Sequence, residues 1–187
     1  MAKPRVAPLS IEEAQEAAAK VDIPPMAVAA NLYRVFLRHP ALAKQINATF
    51  GLLMQNGVID PTVRELIIMR IGWQDKGVYE WTHHWRIAQQ FGLDESTLLS
   101  VKDWENHDHW THAQRAALKA TDDILEAGAI SADTWKECAG CFPTDEERLE
   151  LVAIIGNWKM SSEIIKSLTI PLEEGVVAWP PDVTGPA

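Results

Sequence analysis

Asp60-Pro61-Thr62-Val63-Arg64-Glu65-Leu66-Ile67-Ile68-Met69-Arg70-Ile71-Gly72-Trp73 is the stretch from which the fold is read. Asp60 before Pro61 is a helix start: a side-chain oxygen for the open first-turn N–H groups, then a residue whose fixed φ suits the first helical position. Over 63–73 apolar residues lie almost all round the axis, and a helix of that kind is buried on every side. A short connection later comes Tyr79-Glu80-Trp81-Thr82-His83-His84-Trp85-Arg86-Ile87-Ala88. At about 100° per residue, Val78, Trp81, Trp85, Ala88 and Phe91 make its apolar side. His84 falls inside that arc and Glu80 at its edge, between Ile87 and Phe91. His83 falls opposite, with Tyr79, Arg86 and Gln90.

Working outward, the periodicity is helical nearly throughout. Ser10-Ile11-Glu12-Glu13 is a capping box that starts a first helix to about residue 21. Pro24-Pro25 opens a second through 37, and Pro40 a third that ends near Gly57. The helix that carries Glu80 and His84 spans 77–91 and is ended by Gly92. Asp94 caps a short helix to about 104; further helices are expected at about 111–127 and 131–141. Thr144-Asp145-Glu146-Glu147 is a second capping box, opening a long helix through 168. No strand, internal repeat or low-complexity block is evident. The expectation is an all-α single domain over 1–170, followed by an extended tail over 171–187 with Pro180-Pro181 and two late glycines.

Composition agrees with a globular class. The chain has 187 residues, of which 47% are hydrophobic, enough for one domain with its own core. No apolar run approaches the roughly 18 residues that span a bilayer, and Met1-Ala2-Lys3-Pro4-Arg5 lacks the apolar stretch of a secretory signal. A cytoplasmic location is expected. A formal charge of −9 argues against nucleic acid and anionic membrane as partners, though not against a small anionic ligand held by local arginines. Two cysteines make no disulfide framework.

The chemistry-bearing group is Glu65, Glu80 and His84. Glu80 and His84 are four apart and share a helix face. Glu65 lies on the buried helix, on the side of Ile68, Met69 and Gly72, where a glycine lets a neighbouring helix come close. An antiparallel pairing of the two helices brings the three side chains to one interhelical site. A histidine beside a carboxylate gives and takes protons near neutral pH, and of two carboxyls in a dry pocket one tends to hold its proton. Arg70 offers a bidentate anchor for a substrate carboxylate. The same Glu–His pair also fits a purely structural hydrogen bond.

These residues carry a resemblance. Asp60-Pro61, then Arg64-Glu65-Leu66-Ile67-Ile68-Met69-Arg70-Ile71-Gly72-Trp73, then Tyr79-Glu80-Trp81-x-x-His84-x-x-x-Ala88, resembles the carboxymuconolactone decarboxylase family, which includes the alkylhydroperoxidase-D-like proteins. The likeness is strongest over 60–93 and extends to Gly156-Asn157-Trp158-Lys159-Met160. In the peroxidase branch a glutamate is followed twelve residues later by Cys-x-x-Cys and then by a histidine. Here Glu65 and His84 occupy the outer positions, while Gly77 and Glu80 stand where the cysteines would be. The resemblance therefore implies the branch without that dithiol, with a histidine proton donor, no metal and no cofactor. It further implies an all-helical bundle assembled as a homo-oligomer, trimer or hexamer, with sites near subunit contacts.

Other features have plainer readings. Cys138-Ala139-Gly140-Cys141 has redox spacing but no histidine four residues on. His107-Asp108-His109 with His112 has metal-like spacing in an expected exposed connection. Most of the eight tryptophans fill the core; Trp81 is the candidate pocket wall. Asn157, polar in an apolar stretch, is a candidate ligand contact or a backbone partner. The expectation is a cofactor-independent lyase, a decarboxylase or related proton-transfer enzyme, acting on a small cyclic or aromatic-derived acid. His84 is its acid/base, Glu65 its orienter, Glu80 a second proton carrier or substrate ligand, and Arg70, Trp81 and Asn157 its substrate contacts. The alternatives are a thiol peroxidase or disulfide reductase using Cys138 and Cys141, and a non-catalytic oligomeric binding protein.

Overall fold

The computed structural model describes residues 3–186. Among them the regular structure is wholly helical. In chain order the helices are α1 (Ile11–Ala19), α2 (Asn31–Phe36), α3 (Pro40–Gln55), α4 (Pro61–Gln74), α5 (Val78–Gln90), α6 (Glu95–Ser100), α7 (His112–Ala127), α8 (Ala132–Cys141) and α9 (Asp145–Leu168). Two 3-10 segments, Pro25–Ala29 and Val101–Asn106, precede α2 and follow α6.

The start signals act as their chemistry demands. Ser10 and Glu13 form a reciprocal capping box, as do Thr111 and Gln114 and Thr144 and Glu147. Asp60 accepts from the Thr62 and Val63 N–H groups ahead of α4. The helix expected over 25–37 is broken in two, because Ala30 adopts an extended backbone (ψ 129°) that ends one helical segment and opens the next. The helix expected from Asp94 to about 104 likewise divides at Val101, and Asp103 is non-helical (ψ 46°).

The chain divides into two compact units. One comprises Met1–Asn56 and Glu163–Val176. Its core gathers Ala14, Ala18, Ile23, Val28, Phe36, Leu37, Ala43 and Ile46, with Ile164 packed alongside. The other comprises Gly57–Ser162 and Val177–Ala187 and holds every candidate site residue. In this second unit Leu66, Met69, Trp81, Trp85, Leu98, Trp104 and Leu118 form a common core. The segment expected as one tail is shared between the units, 171–176 going with the first and 177–187 with the second.

Helix α4 is buried from Val63 through Gly72 without interruption, which is what its all-round apolar sequence requires. It packs against both α5 and α7. Its junction with α5 is close because of Gly72: a Cβ there would lie 3.0 Å from the Trp81 backbone nitrogen. Phe91, expected on the apolar side of α5, is 41% exposed and instead lies under the Arg64 guanidinium, 4.9 Å from its ring centre. Tyr79 is conversely buried, stacked against His83 with ring centres 4.3 Å apart. Among the described residues no helix is long and apolar enough to cross a membrane.

Candidate active site

The α4–α5 pair brings Glu65 and His84 together. Glu65 Oε2 lies 2.7 Å from His84 Nδ1, and the other carboxylate oxygen accepts from Arg64 Nε at 2.9 Å. Glu65 is wholly buried and Arg64 nearly so, while the His84 side chain retains 12% exposure. That remnant gives the imidazole a route to solvent that the carboxylate lacks. Burial by itself pushes the Glu65 carboxyl up, but His84 and Arg64 together outweigh it and hold the group below the usual carboxylate range. Of the two acids expected to compete for a proton, Glu65 is the one kept as a carboxylate.

A third contact orients the ring. From α9, the Trp158 indole N–H donates to His84 Nε2 at 3.1 Å. An indole nitrogen can only donate, so Nε2 carries the lone pair and Nδ1 carries the proton that faces Glu65. The two rings meet edge to face, 5.8 Å between centres. Arg64, Glu65, His84 and Trp158 thus form one hydrogen-bonded line with a basic nitrogen near its outer end. From sequence, Trp158 stands only in the Gly156–Met160 stretch of the resemblance and among the tryptophans expected to fill the core. The signal that could have singled it out is that a buried indole N–H needs an acceptor.

Glu80 is buried at the start of α5. Its Oε2 lies 3.4 Å from where a Gly77 side chain would begin, and Ser162 Oγ lies 3.1 Å from the same point. Gly77 and Glu80, the positions where a peroxidase would carry its two cysteines, therefore sit side by side below the turn between α4 and α5. Asn157 is half-buried beside Trp158, and its Nδ2 has no hydrogen-bond partner among the described residues.

Arg70 is not placed to receive a substrate. It is buried and does grip a carboxylate bidentately, but the carboxylate is that of Asp122 on α7: Nε to Oδ1 is 2.7 Å and Nη2 to Oδ2 is 2.9 Å. Its Nη1 donates to the Val101 and Lys102 carbonyls, tying down the end of α6. Expected as a substrate anchor, Arg70 is a structural clamp whose fork is already filled. Trp81 is fully buried, with its indole N–H donating to the Pro180 carbonyl at 2.9 Å; its outer neighbour is the C-terminal segment.

The two cysteines are free and poorly suited to thiolate chemistry. Cys138 is fully buried, its thiol pushed up to about 11 by burial first and by the charge of Cys141 next. Burial and Glu137 raise Cys141 as well. Cys141 lines a cavity of about 330 Å³ with His112, Arg115, Glu137 and Gly140. In the histidine-rich connection, His107 pairs with Asp103 at 3.1 Å and His109 with Ser100 at 3.2 Å. Among the described residues no three metal-binding side chains converge.

The sequence profile of the carboxymuconolactone decarboxylase family matches residues 40–123. Over that segment the chain is similar to the carboxymuconolactone decarboxylase family. The segment covers α3 to most of α7, including Glu65, Glu80 and His84. No curated protein matches the sequence significantly. Solved structures share the fold at low identity. An uncharacterized peroxidase-related protein from Silicibacter sp. TM1040 superimposes with a TM-score of 0.73 at 14% identity, covering 94% of this chain and 97% of its own. The debrominase Bmp8 gives 0.72 at 18%, over 90% and 92%. An alkylhydroperoxidase AhpD core protein from Ralstonia eutropha JMP134 gives 0.68 at 16%, over 87% and 84%. The fold is therefore that of the alkylhydroperoxidase-D-like proteins.

Proposed function

We propose that this protein is a cofactor-independent proton-transfer enzyme, in the first place a lyase that decarboxylates a small cyclic or aromatic-derived acid. The observation that carries the reading is the buried Arg64–Glu65–His84–Trp158 line, which fixes one imidazole tautomer and stores a negative charge behind it. A debrominase of the same fold has been solved with 2,3,4-tribromopyrrole, which supports a small ring as the occupant.

The roles follow from the geometry. Glu65 holds the ring by Nδ1 and stabilises the imidazolium formed when Nε2 takes a proton. In that state Nε2 carries hydrogen and no longer accepts from Trp158, so the indole N–H is released toward a substrate oxygen. In decarboxylation the bond to the departing carboxylate breaks, CO2 leaves, and the electron pair stays on the ring carbon. That carbon then takes the Nε2 proton, and solvent restores it through the exposed edge of His84. Glu80 serves as a second proton carrier, Asn157 as a ligand contact through its unspent amide N–H, and Trp81 as packing behind the site. A homo-oligomer, trimer or hexamer, is part of the proposal; Leu149, Val152 and Met160 on α9 are the exposed apolar residues available to it.

The test is carbon dioxide release from a panel of small cyclic acids and lactones, followed by His84→Gln on whichever compound turns over. A loss of about 10²–10⁴-fold in kcat is expected for removal of a general acid–base. Turnover within a few-fold of the parent, in a folded variant, would overturn the assignment.

A further inference from the structure

We propose that residues 177–186 act as a built-in occupant of a second binding site, one shaped for an aromatic carboxylate, with the Trp179 indole standing in for the ligand's ring. The site is a box of indoles. Trp73 and Trp81 lie 5.2 Å apart between ring centres and are inclined by 52°. Trp179 closes the box, 6.2 Å from each, edge-on to Trp73 and tilted 40° to Trp81. An ammonium group lies over two of its walls: Lys102 Nζ is 4.5 Å from the Trp73 ring centre and 5.5 Å from that of Trp81.

Two features indicate what the box accepts. Lys102 makes no ion pair among the described residues, so a positive charge sits against aromatic faces with its anion-seeking capacity unspent. A second cation would be repelled from it, whereas a carboxylate would be drawn in. The polar groups at the rim are also held by the segment alone. The Trp81 indole N–H donates to the Pro180 carbonyl at 2.9 Å, and the Thr82 hydroxyl oxygen accepts from the Trp179 backbone N–H at 3.1 Å. If the segment leaves, an indole N–H, a hydroxyl and an ammonium remain around a slot the width of an aromatic ring. That donor set matches the two oxygens of a carboxylate on a flat ring.

The segment is built to be displaced. It is non-helical and only half-buried at Trp179. Trp179 and Val183 adopt left-handed backbone, with φ of 53° and 64°, a conformation non-glycine side chains hold only while their contacts persist. Gly185 folds back onto the Trp179 ring so closely that a Cβ there would come within 2.7 Å of it. This inference does not rest on the proton-transfer reading, since none of its residues belongs to the Glu65–His84 line.

The experiment measures binding of indole-3-acetate by calorimetry to the full-length protein, to Trp179→Ala, and to Trp179→Ala with Lys102→Met. Removing the internal competitor should tighten binding by about tenfold or more, since the competent fraction rises. The lysine change should abolish that gain, and neutral indole-3-ethanol should gain far less. Equal affinity in parent and Trp179→Ala, or a gain that survives Lys102→Met, overturns the proposal. Should Trp179→Ala fail to fold, hydrogen exchange on the parent decides. Saturating indole-3-acetate should accelerate exchange at the Trp179 and Val183 amides, which donate to Thr82 and to the Trp179 carbonyl; unchanged or slower exchange there refutes it.

Discussion

Glu65→Gln is the perturbation on which the site geometry makes its sharpest demand. The substitution keeps side-chain volume, so no cavity forms; what changes is charge and donor pattern. Glu65 is fully buried and accepts from Arg64 Nε at 2.9 Å and faces His84 Nδ1 at 2.7 Å. A glutamine offers one oxygen and one NH2 in place of two oxygens. If the oxygen keeps Arg64, the NH2 meets the Nδ1 proton. Turning the imidazole to its other tautomer then sets an Nε2 proton against the Trp158 N–H. One donor is orphaned either way, and the Arg64 guanidinium loses the negative charge of Glu65. Breaking a buried pair in this manner costs about 3–5 kcal/mol, which for a chain of this size lowers Tm by roughly 6–20 °C. The pH dependence has a definite sign. The Glu65 carboxyl is held below its ordinary 4.5, so its contribution is complete above that value and is lost as pH falls through the lower native-state value. Urea unfolding at neutral pH should therefore show the full difference between parent and variant, and the two should converge as the medium is taken below the ordinary carboxylate range. A difference under about 1 kcal/mol at pH 7, or one that does not shrink in acid, would refute the ionised, doubly held carboxylate.

Gly72→Ala should destabilise by about 1–2 kcal/mol in thermal unfolding. The helix-propensity gain of about 1 kcal/mol is smaller than the cost of pressing a methyl 3.0 Å from the Trp81 backbone nitrogen. Arg70→Met should cost about 3–5 kcal/mol by leaving Asp122 with the Trp104 indole N–H but no countercharge and by removing the donor to the Val101 and Lys102 carbonyls, yet leave KM for any substrate found unchanged; a raised KM in folded protein would restore Arg70 to substrate binding. With a thiol held near 11, Cys138 is ionised to about one part in 10⁴ at pH 7. Folded protein should thus leave it unlabelled by a disulfide reagent that labels both thiols in urea, and changing both cysteines to serine should leave turnover intact. Trp158→Phe keeps the ring but deletes the N–H, so the His84 side-chain nitrogen resonances should change in an NMR spectrum recorded at one pH, and unchanged resonances would dismiss the indole–imidazole bond.

What the sequence made legible were the elements whose cause is local. Caps at Ser10, Asp60, Asp94, Thr111 and Thr144 satisfy N–H groups two or three residues away, so their helices begin where the letters say. The Glu65–His84 meeting was legible for a similar reason. A single tight turn joins two helices, and Gly72 permits their approach, so a contact 19 residues apart follows from periodicity. Contacts that depend on distant strangers were not legible. Arg70 and Arg64 stand six residues apart on the same buried helix, and nothing near either says which anion it will meet. Arg70 finds Asp122, 52 residues on, while Arg64 turns back to its neighbour Glu65. Trp158 reaches His84 across 74 residues, and Pro180 reaches Trp81 across 99. In each case a buried donor had to find an acceptor. Sequence states that obligation and leaves its address open, because burial under three dimensions of packing decides which of many acceptors is near. The consequence for function is specific. The arginine that looked free for a substrate was spent on the fold, and the tryptophan that looked like filling donates a hydrogen bond to His84. In this bundle the residues that hold the His84 ring are thus the ones that answer its two nitrogens, Glu65 at Nδ1 and Trp158 at Nε2.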